Sequence, residues 1–253
     1  MPRRPEGPPP PPVVARVRVR FAKRGRLRFL SHRDVARTFE RALRRADVPM
    51  AYSAGFSPHP RISWLGAAPT GAASEAEYVE LALAEHRQPR ALGEALDAAL
   101  PAGLDVVACA LATATPLAEL VDASRWRVRL PGVAPAALAA AVDALLARDL
   151  VEVERVIKDG HRRFDVRQAV VLMVCRAEND TCAILDTVVR HTTPAVRPDD
   201  MLTALCVVAG LRPPVPPEPL RLGQGRLLAD GTVADPLMPD RDDAERLVGR
   251  IDA

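Results

Sequence analysis

Histidines and arginines carry whatever chemistry this chain of 253 residues can do. His59 sits between two prolines in Tyr52-Ser53-Ala54-Gly55-Phe56-Ser57-Pro58-His59-Pro60, and His32 follows Ser31 further upstream. An imidazole titrates near neutral pH and acts as general acid or base. Beside a bound RNA, His59 would activate a 2′-hydroxyl; otherwise Pro58-His59-Pro60 is a rigid turn. The sequence shows no partner that would complete a triad with either ring. Arginine is the denser signal. From Arg16 to Ser63 there are thirteen Arg or Lys against three acids (Asp34, Glu40, Asp47), a net of +10 in a chain whose total is +3. Everything after Ser63 sums to −8. Guanidinium groups bind phosphate through two parallel hydrogen bonds and stack on bases. A cationic stretch inside an otherwise acidic protein draws polyanions by Coulomb attraction and counterion release. We therefore read Arg16, Arg18, Arg20, Arg26, Arg28, Arg37, Arg41, Arg44 and Arg45 as phosphate contacts, with Phe56 and His59 lining the rim. Phe21, Phe29, Tyr52 and Trp64 are interleaved as stacking platforms or core. Only Lys23 and Lys158 are lysines, a bias that a GC-rich genome explains; codon bias does not explain the clustering.

The four cysteines (Cys109, Cys175, Cys182, Cys206) form no C-x-x-C pair and lack the C-x-x-x-C-x-x-C spacing of a radical iron–sulfur enzyme. No metal site or cofactor is expected. Cys175 and Cys182 are predicted to face each other across a hairpin as small buried hydrophobes. With no secretory h-region, the thiols point to a reducing, cytoplasmic setting. No apolar run is long enough for a membrane helix, so no membrane partner is expected.

These residues need elements to hold them. Ala15, Val17, Val19 and Phe21 alternate with arginines, which predicts a strand with one apolar and one cationic face. Lys23 to Arg26 is a turn, and Leu27 and Phe29 resume the alternation. Ser31 is a helix N-cap, with Asp34 three residues on. The helix runs to about Ala46, with Val35, Phe39, Ala42, Leu43 and Ala46 on one apolar face and its arginines along another. Ile62 to Leu65 and Glu75 to Ala84 read as extended, Pro89 to Leu100 as a helix, and Asp105 to Leu111 as a short buried strand. The carboxylates of Ser74 to Tyr78 are read as salt-bridge partners of the basic helix. A second series follows: strand Trp126 to Leu130, helix Ala134 to Ala147, strand Val151 to Ile157, hairpin strands Asp165 to Cys175 and Thr181 to Arg190, helix Pro198 to Ala209, and strand Leu220 to Leu228. Asp165 and Arg167 read as an ion-paired strand start. The order implies an α+β protein of tandem duplicated ferredoxin-like (βαββαβ) domains. The first spans residues 14–115 and the second 124–230. A Pro-rich tail (1–13) precedes them, and an acidic segment (231–253), read as helical from Arg241 to Val248, follows.

Leu30-Ser31-His32-Arg33-Asp34, Phe39-Glu40-Arg41-Ala42-Leu43-Arg44-Arg45-Ala46, the Tyr52 to Pro60 loop and Ser74-Glu75-Ala76-Glu77-Tyr78 resemble the radical SAM-linked family, a bacterial domain of unknown function. Asp165-Val166-Arg167 extends the resemblance into the second half. Arg33 stands where that family usually has leucine, and Ala54 where it usually has glutamine. The resemblance implies a neighbour: members occur beside or fused to cobalamin-binding radical SAM proteins, often near an RNase of the E/G type. The expected function is an RNA-binding accessory module for tRNA or rRNA modification or processing. The alternatives are a metal-independent endoribonuclease using His59 or His32, and a domain docking on an acidic partner protein.

Overall fold

The computed structural model describes residues 11–157 and 160–238. These residues form a mixed α+β fold with a large mixed sheet and four α-helices among the described residues. By contact density the described chain divides into two units, residues 11–70, 75–120 and 236–238 in one and 71–74 and 121–235 in the other. The expected helix at Arg241 to Val248 lies outside the described residues.

The first unit runs β1 (Ala15–Lys23), α1 (His32–Arg45), β2 (Ile62–Trp64), β3 (Ala73–Leu83), α2 (Pro89–Ala99) and β4 (Val106–Leu111). Its strands lie in the order β4-β1-β3-β2, with β1/β4 and β2/β3 antiparallel. Val17, Val19 and Phe21 of β1 meet Val79, Leu81 and Leu83 of β3 and the apolar faces of α1 and α2 in one core. Phe21 and Phe39 stack with centroids 4.5 Å apart, and Trp64 stands edge-on to both. Gly93 of α2 is required by proximity, since a Cβ there would lie 2.8 Å from the Cys109 sulfur. The same burial pushes the Cys109 thiol up to about 12.

Helix α1 starts where its cap predicts. Ser31 Oγ accepts from the Asp34 amide at 3.3 Å and donates to Asp34 Oδ2 at 2.6 Å. That hydroxyl bond, aided by Arg37 and Arg33, holds the Asp34 carboxyl below its ordinary pKa. A depressed folded pKa means that the contribution is present above the ordinary carboxylate value and is lost as pH falls through the folded one. Ser31→Ala is expected to raise the Asp34 pKa toward 3.8, its unperturbed value, in an NMR titration of the carboxyl. An unchanged titration would remove the hydroxyl as its cause.

The second unit contains β5 (Ala123–Pro131), α3 (Pro135–Leu146), β6 (Glu152–Ile157), β7 (Gly160–Asp165), β8 (Val170–Asn179), β9 (Cys182–Arg190), α4 (Pro198–Ala209), β10 (Glu218–Leu227) and β11 (Val233–Ala234). Its main strands are ordered β10-β5-β9-β8, antiparallel throughout. On the other side, Leu220 and Arg221 of β10 pair in parallel with Ala73 and Ser74.

Several local expectations are corrected. Gly25–Phe29 is a 3₁₀ helix, not resumed strand. Gly160–Asp165 is a strand, paired with β6 as a separate two-stranded ribbon. Asp165 ends it and accepts from the Val151 and Arg167 amides at 3.0 and 2.9 Å, so it caps a turn instead of pairing with the Arg167 side chain. Strand β4 is an edge strand, and much of it is exposed. Cys175 lies opposite Leu185, and Cys182 opposite Asn179, because the hairpin turns at Asp180-Thr181 and not around Glu178-Asn179; the two sulfurs do not face each other.

Candidate nucleic-acid interface

Nine of the thirteen cations of the basic stretch lie on β1 or α1, and the two groups have different fates. Those on β1 are tied to acceptors in their own unit, with Arg18 and Lys23 buried, Arg20 half-buried and Arg16 still exposed. Arg18 is 2% exposed; its Nε donates to Glu80 Oε2 at 3.0 Å, and its other nitrogens donate to Thr113 Oγ1 at 3.1 Å and to the Thr115 carbonyl. Arg16 reaches the other oxygen of Glu80 at 3.2 Å, and Arg20 donates to the Glu75 carbonyl at 2.8 Å. Lys23 is buried on the carbonyls of Ala68 and Pro69. Arg24 pairs with Glu75 and Asp105, which raises its pKa further. Glu75 therefore serves β1's end, not the basic helix.

The expected cationic strand face is thus largely closed beyond Arg16. The chain after β4 covers it: Leu117 packs on Ala76 and Tyr78, and Thr113 and Thr115 hold Arg18. Arg18, enclosed in this way, cannot present its guanidinium to a ligand. Sequence reading missed Glu80, because the partner lies 62 residues from Arg18.

The set on α1 is turned outward. Arg33, Arg37, Arg41, Arg44 and Arg45 are exposed along one stripe, opposite the buried Val35, Phe39, Ala42 and Leu43. A spacing mostly of four residues produces the stripe. Their ties are weak or one-sided. Arg44 approaches Glu40 only at 3.8 Å, Arg41 donates to Thr38 at 3.3 Å, and Arg45 donates one bond to the Ala99 carbonyl at 3.1 Å. Arg26 is exposed just before the helix, and Arg28 lies 4.8 Å over the Phe29 ring. Phe29 itself is 59% exposed, a cation–π pair on the surface.

The loop from Tyr52 to Pro60 is closed by its own backbone. Tyr52 bridges Pro60, the Ser53 amide donates to the His59 carbonyl at 2.9 Å, and the His59 amide donates to Ser53 Oγ at 3.0 Å. This staple holds Phe56 at the tip, 72% exposed. His59 is also exposed, and His32 stands edge-on to Trp64 with centroids 5.3 Å apart. Neither imidazole has a hydrogen-bonding partner among the described residues. The acid–base machinery of a nuclease would need one to orient the ring. No group of three or more His, Cys, Asp or Glu suited to a metal ion is found among the described residues. No helix among them is long and apolar enough to cross a membrane.

What the arrangement offers is a row of guanidiniums on a rigid helix, with two exposed aromatic rings, Phe29 and Phe56, in the same unit. Curated proteins give no match to the sequence. The sequence profile of a bacterial family, described as "Uncharacterized protein conserved in bacteria (DUF2344)", matches residues 16–198. That span takes in β1, the arginine helix, the stapled loop and the second unit as far as the start of α4, and by it the chain belongs to this family.

Proposed function

We propose that this chain is an RNA-binding accessory module that holds a structured RNA, of the tRNA or rRNA kind, for a separate radical SAM enzyme. An RNase of the E/G type is a second candidate partner. The outward arginine stripe of α1 carries the reading. Five guanidiniums on one face, without strong carboxylate partners, leave positive charge that a polyanion neutralises while small counterions are released. Exposed Phe29 and Phe56 supply rings on which unpaired bases stack. The contact set is now Arg26, Arg28, Arg33, Arg37, Arg41, Arg44 and Arg45, with Phe56 and His59 at the rim. The two units are read as copies of one ferredoxin-like βαββαβ frame. The support for that is a shared order of fourth, first, third and second strand, with β6–β7 as an insertion in the second copy.

Gel-shift titration against total tRNA tests the reading. If five phosphates are neutralised, the log of affinity falls against log salt with a slope of about −4. Binding that is absent at low salt, or indifferent to salt, overturns it. Chelator-resistant RNA cleavage that disappears in His59→Ala would replace it with a nuclease. Co-purification with an acidic protein and no nucleic-acid absorbance would replace it with protein docking.

A further inference from the structure

The arginine alternation of β1 recurs in the second unit, where Arg125, Arg127 and Arg129 alternate along β5. In β1 that face is covered from Arg18 onward. In β5 it borders a recess of about 340 Å³. The β-register sets its floor: Arg125 lies opposite Val188 and Arg127 opposite Asp186 on β9, with Leu172 and Val174 beyond them on β8. Asp186 is fully engaged. It accepts from Arg127 at 2.8 and 2.9 Å and from Arg176 at 2.9 Å, and these cations hold its carboxyl below the ordinary range. One carboxylate between two guanidiniums leaves one positive charge. Arg125 adds a second, since it has no hydrogen-bond or ion-pair partner among the described residues.

The rest of the recess is apolar. Leu172 is 47% exposed and Val174 38% exposed, and both line it with Leu222 and Val233 from the other side. Gly223 opens it to the backbone, because a Cβ there would meet nothing within 4 Å. The volume lies in the range of small-ligand sites. An excess of two positive charges matches the near-dianionic charge of a phosphomonoester at neutral pH.

The geometry points to a binding site for a phosphomonoester carried on a flat, weakly polar ring, the size of a nucleoside monophosphate. The phosphate sits against Arg125 and Arg176, and the ring lies on Leu172 and Val174. Such a group comes either as a free mononucleotide or as the phosphorylated end of an RNA strand. The site is independent of the α1 stripe.

Calorimetric titration of the full chain with adenosine 5′-monophosphate, adenosine and inorganic phosphate tests it. The monophosphate is expected to bind saturably, and adenosine at least about tenfold more weakly. Arg125→Gln should weaken the monophosphate at least about tenfold. Gly223→Leu, at a backbone angle open to any residue, should abolish binding by filling the recess. Equal binding of monophosphate and adenosine by the native chain overturns the proposal, as does no saturable binding, or unchanged affinity in both variants. The comparison within the native chain does not depend on a variant's folding. A 5′-phosphorylated oligoribonucleotide that binds more tightly than its 5′-hydroxyl form and than the mononucleotide identifies a strand end. Tighter mononucleotide binding identifies the free ligand. Arg125→Gln leaves the α1-dependent tRNA shift in place, so failure here and failure of the RNA reading are separable.

Discussion

Glu80→Ala is expected to destabilise the first unit by about 3–5 kcal/mol, the usual cost of stripping one partner from a buried ion pair. The Arg18 side chain is 2% exposed and that of Glu80 11% exposed, so water cannot replace the lost carboxylate. Thr113 Oγ1 and the Thr115 carbonyl still accept from the guanidinium, but neither carries a countercharge. Arg18→Met should cost less, because Glu80 keeps Arg16 at 3.2 Å. The double variant Arg18→Met/Glu80→Leu should recover most of the loss, since removing both charges avoids an unpaired one. Trp64 lies in the first unit and Trp126 in the second. Urea unfolding in a Trp126→Phe background, followed by the remaining indole, therefore reports the first unit. An unchanged midpoint for Glu80→Ala would show that the pair is solvated and that the strand arginines are less enclosed than they look here.

Charge reversal on α1 is expected to have the largest effect on binding. Arg37→Glu combined with Arg41→Glu removes two phosphate contacts and adds two repulsions. Its expected cost is on the order of 100-fold in tRNA affinity at low salt, with a shallower salt slope. Both residues are exposed, and neither has an ion pair among the described residues, so folding should be spared. Circular dichroism at matched concentration checks that. The paired control is Arg24→Gln. It also removes a cation from the basic stretch, but one already tied to Glu75 and Asp105. If reversal of α1 and neutralisation of Arg24 weaken binding equally, net charge governs the interaction and the stripe has no special role.

The elements that were legible in the sequence are those whose signals are local. Helix α1 begins after Ser31 because a hydroxyl and an acid three residues apart close a cap. Helix α4 spans Pro198–Ala209 because proline opens it and Gly210, at φ +68°, closes it. What failed depended on distant partners or very short windows. Leu27 and Phe29 alternate over too few residues to separate a strand from a 3₁₀ turn. Gly160–Asp165 carries little apolar periodicity, since its ribbon lies apart from the large sheet. Strand β3 is extended as its sequence predicts, but it is buried on both faces, so alternation alone does not show what each face meets. Val79, Leu81 and Leu83 join one core, while Ala76 and Tyr78 face another and Glu80 holds Arg18. For the same reason the charge count located the basic stretch but could not divide it. Which arginines face solvent was decided by Glu75, Glu80 and Thr113, far along the chain.

A single strand serves two masters in this molecule. Ala73 and Ser74 group with the second unit, and the remainder of β3 groups with the first. Their backbone closes the flank of β10 at Leu220 and Arg221, and Ser74 Oγ accepts from Arg221 Nε at 3.3 Å. A fragment cut after residue 120 would leave that flank bare, with raw amides and carbonyls inviting a neighbouring molecule to zip on. Splitting this chain into expressible halves therefore means grafting residues 71–74 back, or accepting a C-terminal half prone to clump.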